Sequence, residues 1–180
     1  NAELRQTLAE LEGRDRILNA TATATNALLT VDSLDEAIDA ALQLLGEALK
    51  TDRVVVIENS IPSDSAFAHW HILYQWNSPG TIAQIDHPDY AYGTYEGVES
   101  WYEWQRQGKV TSYLLDEMSD PFRSQQADLG VKALHVLPIF VAGEFWGTFG
   151  IDNCREAKRI SAAELSVLRV AADCIGSAIQ

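Results

Sequence analysis

The stretch that decides the fold is Ala133–Cys154, ALHVLPIFVAGEFWGTFGIDNC. Apolar residues crowd both arms, and Ala142-Gly143 lies between them, where glycine supplies the positive φ of a tight hairpin turn at low steric cost. The first arm, Leu134–Val141, is expected to be a buried strand, with Pro138 at an edge or a bulge because it has no N–H to donate. The second arm, Phe145–Asp152, interleaves Gly147 and Gly150 with aromatics. Glycine weakens a strand interior unless something packs close to the backbone there. The hairpin is therefore expected to be the floor of a sheet that a helix or a ligand approaches closely.

Downstream of the hairpin, Ser161 and Glu164 form a capping box. Leu165, Leu168, Ala172, Ile175 and Ile179 then step by three and four along one helix face, a cleaner seam than any other in the chain. Upstream, a helix capped by Ser119 or Asp120, with Pro121 at its first position, ends at Gly130. Before it come a strand, Val110–Leu115, and a short helix, Val98–Gln107, which carries Trp101, Tyr102 and Trp104 and stops at Gly108. Thr81–Gly97 is the least patterned stretch, and a loop of that length in a compact domain is usually functional or mobile. Phe67–Trp76 alternates well enough for a strand, and β-branched Arg53–Glu58 for a central one, with a turn region at Ile61–Ser65 between them. Ser33 and Glu36 suggest another capping box, opening a helix whose apolar face is Leu34, Ala37, Ile38, Ala41, Leu42, Leu45 and Leu49.

At the N-terminal end, Leu4, Leu8, Leu11, Leu18, Ala22 and Leu29 follow coiled-coil spacing, interrupted by Asp15 and Thr25. This helix either lies on its own domain or meets a partner helix; the second reading is preferred, because its charged first half has no evident core to cover. The element order α, α, β, β, α, β, α, β, β, α gives an α+β fold, a mostly antiparallel sheet with helices segregated to its faces. Residues 1–32 are expected to be a coiled-coil-like linker helix and 33–180 the domain proper, ending in an output helix. A parallel homodimer joined through the terminal helices is expected, with Leu4, Leu8, Leu11, Leu165, Leu168, Ala172, Ile175 and Ile179 at the interface; the competing account buries the Leu165–Ile179 stripe against the domain's own sheet.

Composition narrows the function. At 180 residues the chain fits one domain, burying roughly two-thirds of its unfolded surface. The net charge of −13, from 26 acidic and 13 basic residues, argues against nucleic-acid binding. No apolar run approaches the roughly 20 residues of a membrane helix, and the polar N-terminus is no signal peptide. Both termini fall within helical pattern, which suggests a piece of a longer chain; the expected compartment is cytoplasmic. Cys154 and Cys174 make neither a disulfide framework nor a metal motif, and are expected to be small core residues in a reducing compartment.

Leu137-Pro138-Ile139, the turn at Gly143, Phe145-Trp146-Gly147 leading to Cys154, and the helix opening at Ala163-Glu164-Leu165 together resemble a GAF domain. The similarity runs over roughly Ser33–Gln180 and is nearest to the GAF domains of cyanobacterial sensor kinases and phytochrome-like photoreceptors. It implies a central antiparallel sheet with helices on both faces and a pocket between the sheet and the helices on one side. The pocket walls would be the Thr81–Gly97 loop, the Trp101/Trp104 helix, the Tyr113 strand and the Pro121–Leu129 helix. Candidate ligand-binding residues are Trp101, Trp104, Tyr113, Pro121, Phe122 and Gln125, with a small molecule as the possible ligand; Trp101 and Trp104 would alternatively be plain core. Bilin-binding members carry a thioether-forming cysteine followed by a histidine near the start of the helix before the hairpin. Here those positions hold Pro121 and Phe122, which argues against a covalent bilin.

The resemblance implies a non-catalytic sensory module of a larger signalling protein, a bacterial two-component sensor histidine kinase. Two alternatives stand beside it. One is a redox enzyme like the GAF proteins that reduce free methionine sulfoxide, which needs a thiolate and a resolving thiol at the pocket. The other is a phytochrome-like chromophore domain. His69 and His71 share one strand face but have no third ligand in the pattern, so no metal is expected. Asp116, Glu117 and Asp120 precede a helix start, where negative charge suits the helix dipole. Ser119 and His135 form no nucleophile arrangement, and no phosphate-binding loop or dinucleotide fingerprint is present.

Overall fold

A computed structural model describes all 180 residues. Six strands form one antiparallel sheet in the order β3-β2-β1-β6-β5-β4: β1 Arg53–Ser60, β2 His69–Asn77, β3 Tyr92–Thr94, β4 Thr111–Leu114, β5 Ala133–Val141 and β6 Glu144–Asn153. The helices are α1 Ala2–Thr30, α2 Leu34–Leu49, α3 Glu99–Arg106, α4 Phe122–Asp128 and α5 Ala162–Ile179. The expected order holds except in Thr81–Gly97, which contains edge strand β3 and a 3-10 turn at Gln84–Asp86 rather than loop alone. Three residues of β3 are too few to leave a period-two pattern.

The hairpin β5–β6 sits inside the sheet and turns at Ala142 and Gly143, with φ of 51° and 83°. Pro138 lies beyond the last residue of β5 paired to β4, Val136, so its other edge is free of a strand. Gly147 does answer a close approach, but from the neighbouring strand: a Cβ there would collide with the Ile57 carbonyl oxygen. The helix approach falls instead at Gly176 on α5, where a Cβ would collide with the Phe140 carbonyl oxygen.

Alternation along the central strands sorts side chains to two faces. Val54 and Val56, Leu137 and Ile139, and Phe149 and Ile151 join Ile17, Ile38, Leu42, Leu45, Leu168, Ala172 and Ile175 in one core beneath α1, α2 and α5. Leu134 and Val136 face the other way, packing with Met118, Leu129 and Val131 toward α3 and α4. This corrects one part of the interface expectation. Leu168, Ala172 and Ile175 are fully buried in the chain's own core, with Leu165 and Ile179 half-buried against it, so the centre of the α5 stripe is covered by the chain itself. The α1 leucines differ: Leu4, Leu8, Leu11 and Leu18 are exposed, while Gly13, Ile17, Thr21 and Ala24 turn inward.

Local signals explain the helix ends. Ser161 and Glu164 complete the capping box of α5, whereas Ser33 on α2 accepts from the Glu36 N–H without the reciprocal bond. Pro121 is the N-cap of α4 rather than its first residue, and Asp120 Oδ1 accepts from the Ser124 N–H at 3.1 Å. Below the sheet ends, the Asp52 carboxylate accepts from the Cys154 and Arg155 N–H groups and from Arg155 Nε at 2.6 Å, which fastens the segment after β6.

Candidate functional site

The second face of the sheet is roofed by α3, α4 and the segment around β3, leaving a cavity of about 560 Å³. Its floor is Val55, Ile57, Leu134, Val136, Thr148, Gly150 and Asp152, the residues that alternation turns away from the helical core. Gly150 keeps this floor low, since a Cβ there would sit 2.9 Å from Val55 Cγ2. Trp70 reaches in from β2 over Gly93, where a Cβ would lie 2.8 Å from its ring. Gln84, Tyr90 and Tyr95 close one side, and Gln84 Nε2 donates to the Tyr90 carbonyl at 3.0 Å. Tyr90 also donates its hydroxyl to Asp128 on α4 at 2.6 Å, and Tyr95 donates to Asn59 at 2.7 Å. These bonds tie the β3 segment to α4 and to β1.

Of the residues expected at the site, Trp101, Pro121, Phe122 and Gln125 line the cavity. Tyr113 does not; it stands behind Trp101, their rings stacked at 5.6 Å. Trp101 meets Phe122 edge-on at 4.3 Å, so one aromatic cluster braces this wall. Trp104 is neither lining nor core: it is 43% exposed on the outside of α3, with Lys109 Nζ 6.0 Å from its ring. Helical geometry gives the reason. Trp101 and Gln105, four apart, share a face, and it is Gln105 that is buried at the cavity. Asp152 also went unmarked by the sequence, although a lone acid closing an apolar strand, with Arg53 opening another, was a signal for it.

Arg53 and Asp152 pair directly across β1 and β6, Nε to Oδ2 at 2.9 Å, both buried. The guanidinium donates further to the Ile82 and Leu129 carbonyls, joining the loop before β3 to the end of α4 at the cavity base. Burial raises the Asp152 carboxyl above its ordinary range, against the pull of Arg53. Cys154, 3.9 Å from Arg53 Nη2, has its thiol pushed up to about 11 by burial, and Cys174 Sγ faces Thr25 on α1. Neither cysteine lines the cavity. No cluster of His, Cys, Asp and Glu has the makings of a metal site. His69 bonds Ser65 at 2.9 Å and His71 faces Glu58 at 4.0 Å. Asp116 and Glu117 pair with Arg123 and Arg159. His135 is buried between Ser112 and the Ile160 N–H, on the helical side of the sheet.

Similarity to known proteins agrees with this architecture. Residues 33–179 match the GAF domain family. The chain is 33% identical over 177 residues to the methanogenesis regulatory histidine kinase FilI of Methanothrix harundinacea (strain 6Ac), covering 98% of this chain and 20% of that protein. It therefore spans about one fifth of that relative's length. Among solved structures, the phycocyanobilin-bound GAF domain from a cyanobacterial phytochrome superposes with a TM-score of 0.74 at 17% identity, over 89% of this chain and 92% of that one. A far-red-absorbing dark state with bound biliverdin IXa gives 0.71 at 17% identity, over 89% and 97%. The cyanobacteriochrome TePixJ GAF domain gives 0.66 at 18% identity, over 84% and 92%. At these identities the solved structures speak for the fold, and the matched family for membership: the chain belongs to the GAF domain family.

Proposed function

We propose that this GAF domain is the non-catalytic sensory module of a larger signal-transduction protein, a sensor histidine kinase, and that it acts by binding a small molecule. The observation that carries the reading is the cavity of about 560 Å³ with a largely apolar floor, aromatic walls and polar side chains set among them, the make-up of a small-molecule site. The histidine kinase relative supports the output. The module works as a homodimer, and its contact is the exposed leucine stripe Leu4, Leu8, Leu11 and Leu18 of α1, since the α5 stripe is core. No helix is long and apolar enough to cross a membrane.

The methionine sulfoxide reductase reading asks for a thiolate beside the ligand. Cys154 is held as a thiol by burial, and both cysteines lie off the cavity. The chromophore reading asks for an attachment thiol where Pro121 and Phe122 stand, at the cavity wall. Both are weaker for it. The test is to fill the cavity mouth from the exposed rim position Gln125, as Gln125→Trp, in the full-length parent kinase. Autophosphorylation should change at least threefold while the domain's melting temperature holds; an unchanged rate in a folded variant refutes the sensory reading.

A further inference from the structure

The floor of the cavity is shut in. Val55, Leu134, Val136, Thr148 and Asp152 are each buried, although they line a space of about 560 Å³. The cover above them has two parts. One is the segment 81–96, which belongs to the sheet: Tyr92, Gly93 and Thr94 pair with β2, Gln75 Oε1 accepts from the Ile85 N–H at 2.9 Å, and the Tyr95 hydroxyl donates to Asn59. The other is α3 with α4, joined by the edge-on contact of Trp101 with Phe122. Deep in the seam between the parts, Arg53 donates to the Ile82 and Leu129 carbonyls and fixes its base. At the outer edge one direct hydrogen bond joins the segment to α4, from the Tyr90 hydroxyl to Asp128 Oδ2 at 2.6 Å.

Tyr90 is held in place for that bond. Its ring stacks on His87 at 4.5 Å and packs against the cluster of Met118, Leu129 and Val131, while its carbonyl accepts from Gln84 Nε2. The acceptor is a carboxylate, which makes the bond short and stronger than a neutral one. Both partners also reach water: Asp128 is exposed and Tyr90 only half-buried, so breaking the bond strands no buried polar group. The segment has room to yield. Gly80 and Gly97 flank it with φ of 83° and 82°, and no atom stands within 4 Å of where a Cβ would be at either. Such positions absorb the backbone rotation that a moving segment needs.

Resting on the reading of the cavity as a small-molecule site, we infer that Tyr90 and Asp128 form its latch: with the bond made, segment 81–96 and α4 close over the floor, and with it broken they part to admit a ligand. The assay places a single cysteine on the floor, Thr148→Cys with Cys154→Ala and Cys174→Ala, and follows its modification by N-ethylmaleimide, a small neutral reagent. The folded chain should react at least a hundredfold more slowly than the same chain unfolded in urea. Tyr90→Phe, which keeps the ring and removes the hydroxyl, should speed the reaction about three- to tenfold. Asp128→Ala should do the same, and the two together should add little to either alone, as for partners in one interaction. Ala172→Cys, buried on the helical side of the sheet, is the control and should keep its rate in every variant. If Thr148→Cys does not fold, Val136→Cys takes its place on the floor. A folded chain that reacts within tenfold of the unfolded one overturns the closed cover, and a change below twofold in both variants overturns the latch. Equal acceleration of Ala172→Cys overturns it too, because general loosening then accounts for the effect. These rates are read without ligand or kinase, so a failed latch leaves the sensory reading standing, whereas failure of that reading shows only in the autophosphorylation of Gln125→Trp.

Discussion

Leu168→Ala in α5 separates core from interface most sharply. Leu168 is fully buried within the core that α1, α2 and α5 share with the sheet. Truncation removes three carbons, worth about 2.4 kcal/mol at about 0.8 kcal/mol per buried methylene. A residual void of roughly 50 Å³, at about 24 cal/mol per Å³, adds about 1.2 kcal/mol. For a domain of this size each kcal/mol lowers Tm by about 2–4 °C, so a fall of about 7–14 °C is expected. Leu8→Ala is the control: Leu8 is 55% exposed, and surface substitutions usually stay within about 0.5 kcal/mol. Both are read from circular-dichroism melts at low protein concentration, where self-association contributes least. A Leu168→Ala variant that melts within about 3 °C of the parent refutes the assignment of the α5 stripe to the core.

Other outcomes follow from the same geometry. The pair Leu8→Glu and Leu11→Glu should leave the melt intact but shift sedimentation from dimer to monomer; a parent that is already monomeric at high concentration removes the α1 interface. Trp104→Ala, at an exposed position, should cost about 1 kcal/mol or less, whereas Trp101→Ala should cost about 3 kcal/mol or more. Equal costs would return Trp104 to the core. His135 is held below its ordinary value of about 6.5 mainly by burial, opposed by a backbone contact at Lys158. The unfolded chain then binds the extra proton more readily, so its contribution is present above about pH 6.5 and is lost as pH falls through the lower folded value. The parent should lose stability between pH 7 and 5, and His135→Gln should show a smaller slope; identical slopes would remove His135 as the cause.

The hairpin at Ala133–Cys154, the capping box at Ser161 and the helix stop at Gly130 were legible because each depends on local chemistry: alternation, a side-chain oxygen, a positive φ of 76° at Gly130. The cavity side was legible only in outline. Trp101 and Trp104 look equivalent by composition, and only the direction of the α3 axis puts one in the wall and the other in solvent. Asp152 and Arg53 stand 99 residues apart, and their meeting depends on the register of β1 against β6, which neither strand specifies alone. The α5 seam misled for a related reason. Apolar steps of three and four mark a buried face without saying whether the chain itself or a second copy covers it, and here Gly176 lets the chain's own sheet do so.

That placement of α5 limits how any signal leaves the domain. A slide by one residue or a turn about the helix axis would carry Arg169 or Asp173, now exposed, toward positions filled by Leu168 and Ala172. Burying an unpaired charge there costs several kcal/mol, and the contact of Gly176 with the Phe140 carbonyl blocks the slide sterically. The register change that an exposed seam would permit is thus closed to α5. What remains is movement of α5 as one body with β5, the strand it packs on and that Leu134 and Val136 connect to the cavity floor. An occupant of the cavity can bias that body only by its different affinity for two arrangements of the sheet. The exposed Leu4, Leu8 and Leu11 of α1, by contrast, pack on nothing in the chain's own core, so in the homodimer proposed above α5 would move with the sheet and α1 would register the movement against a second copy.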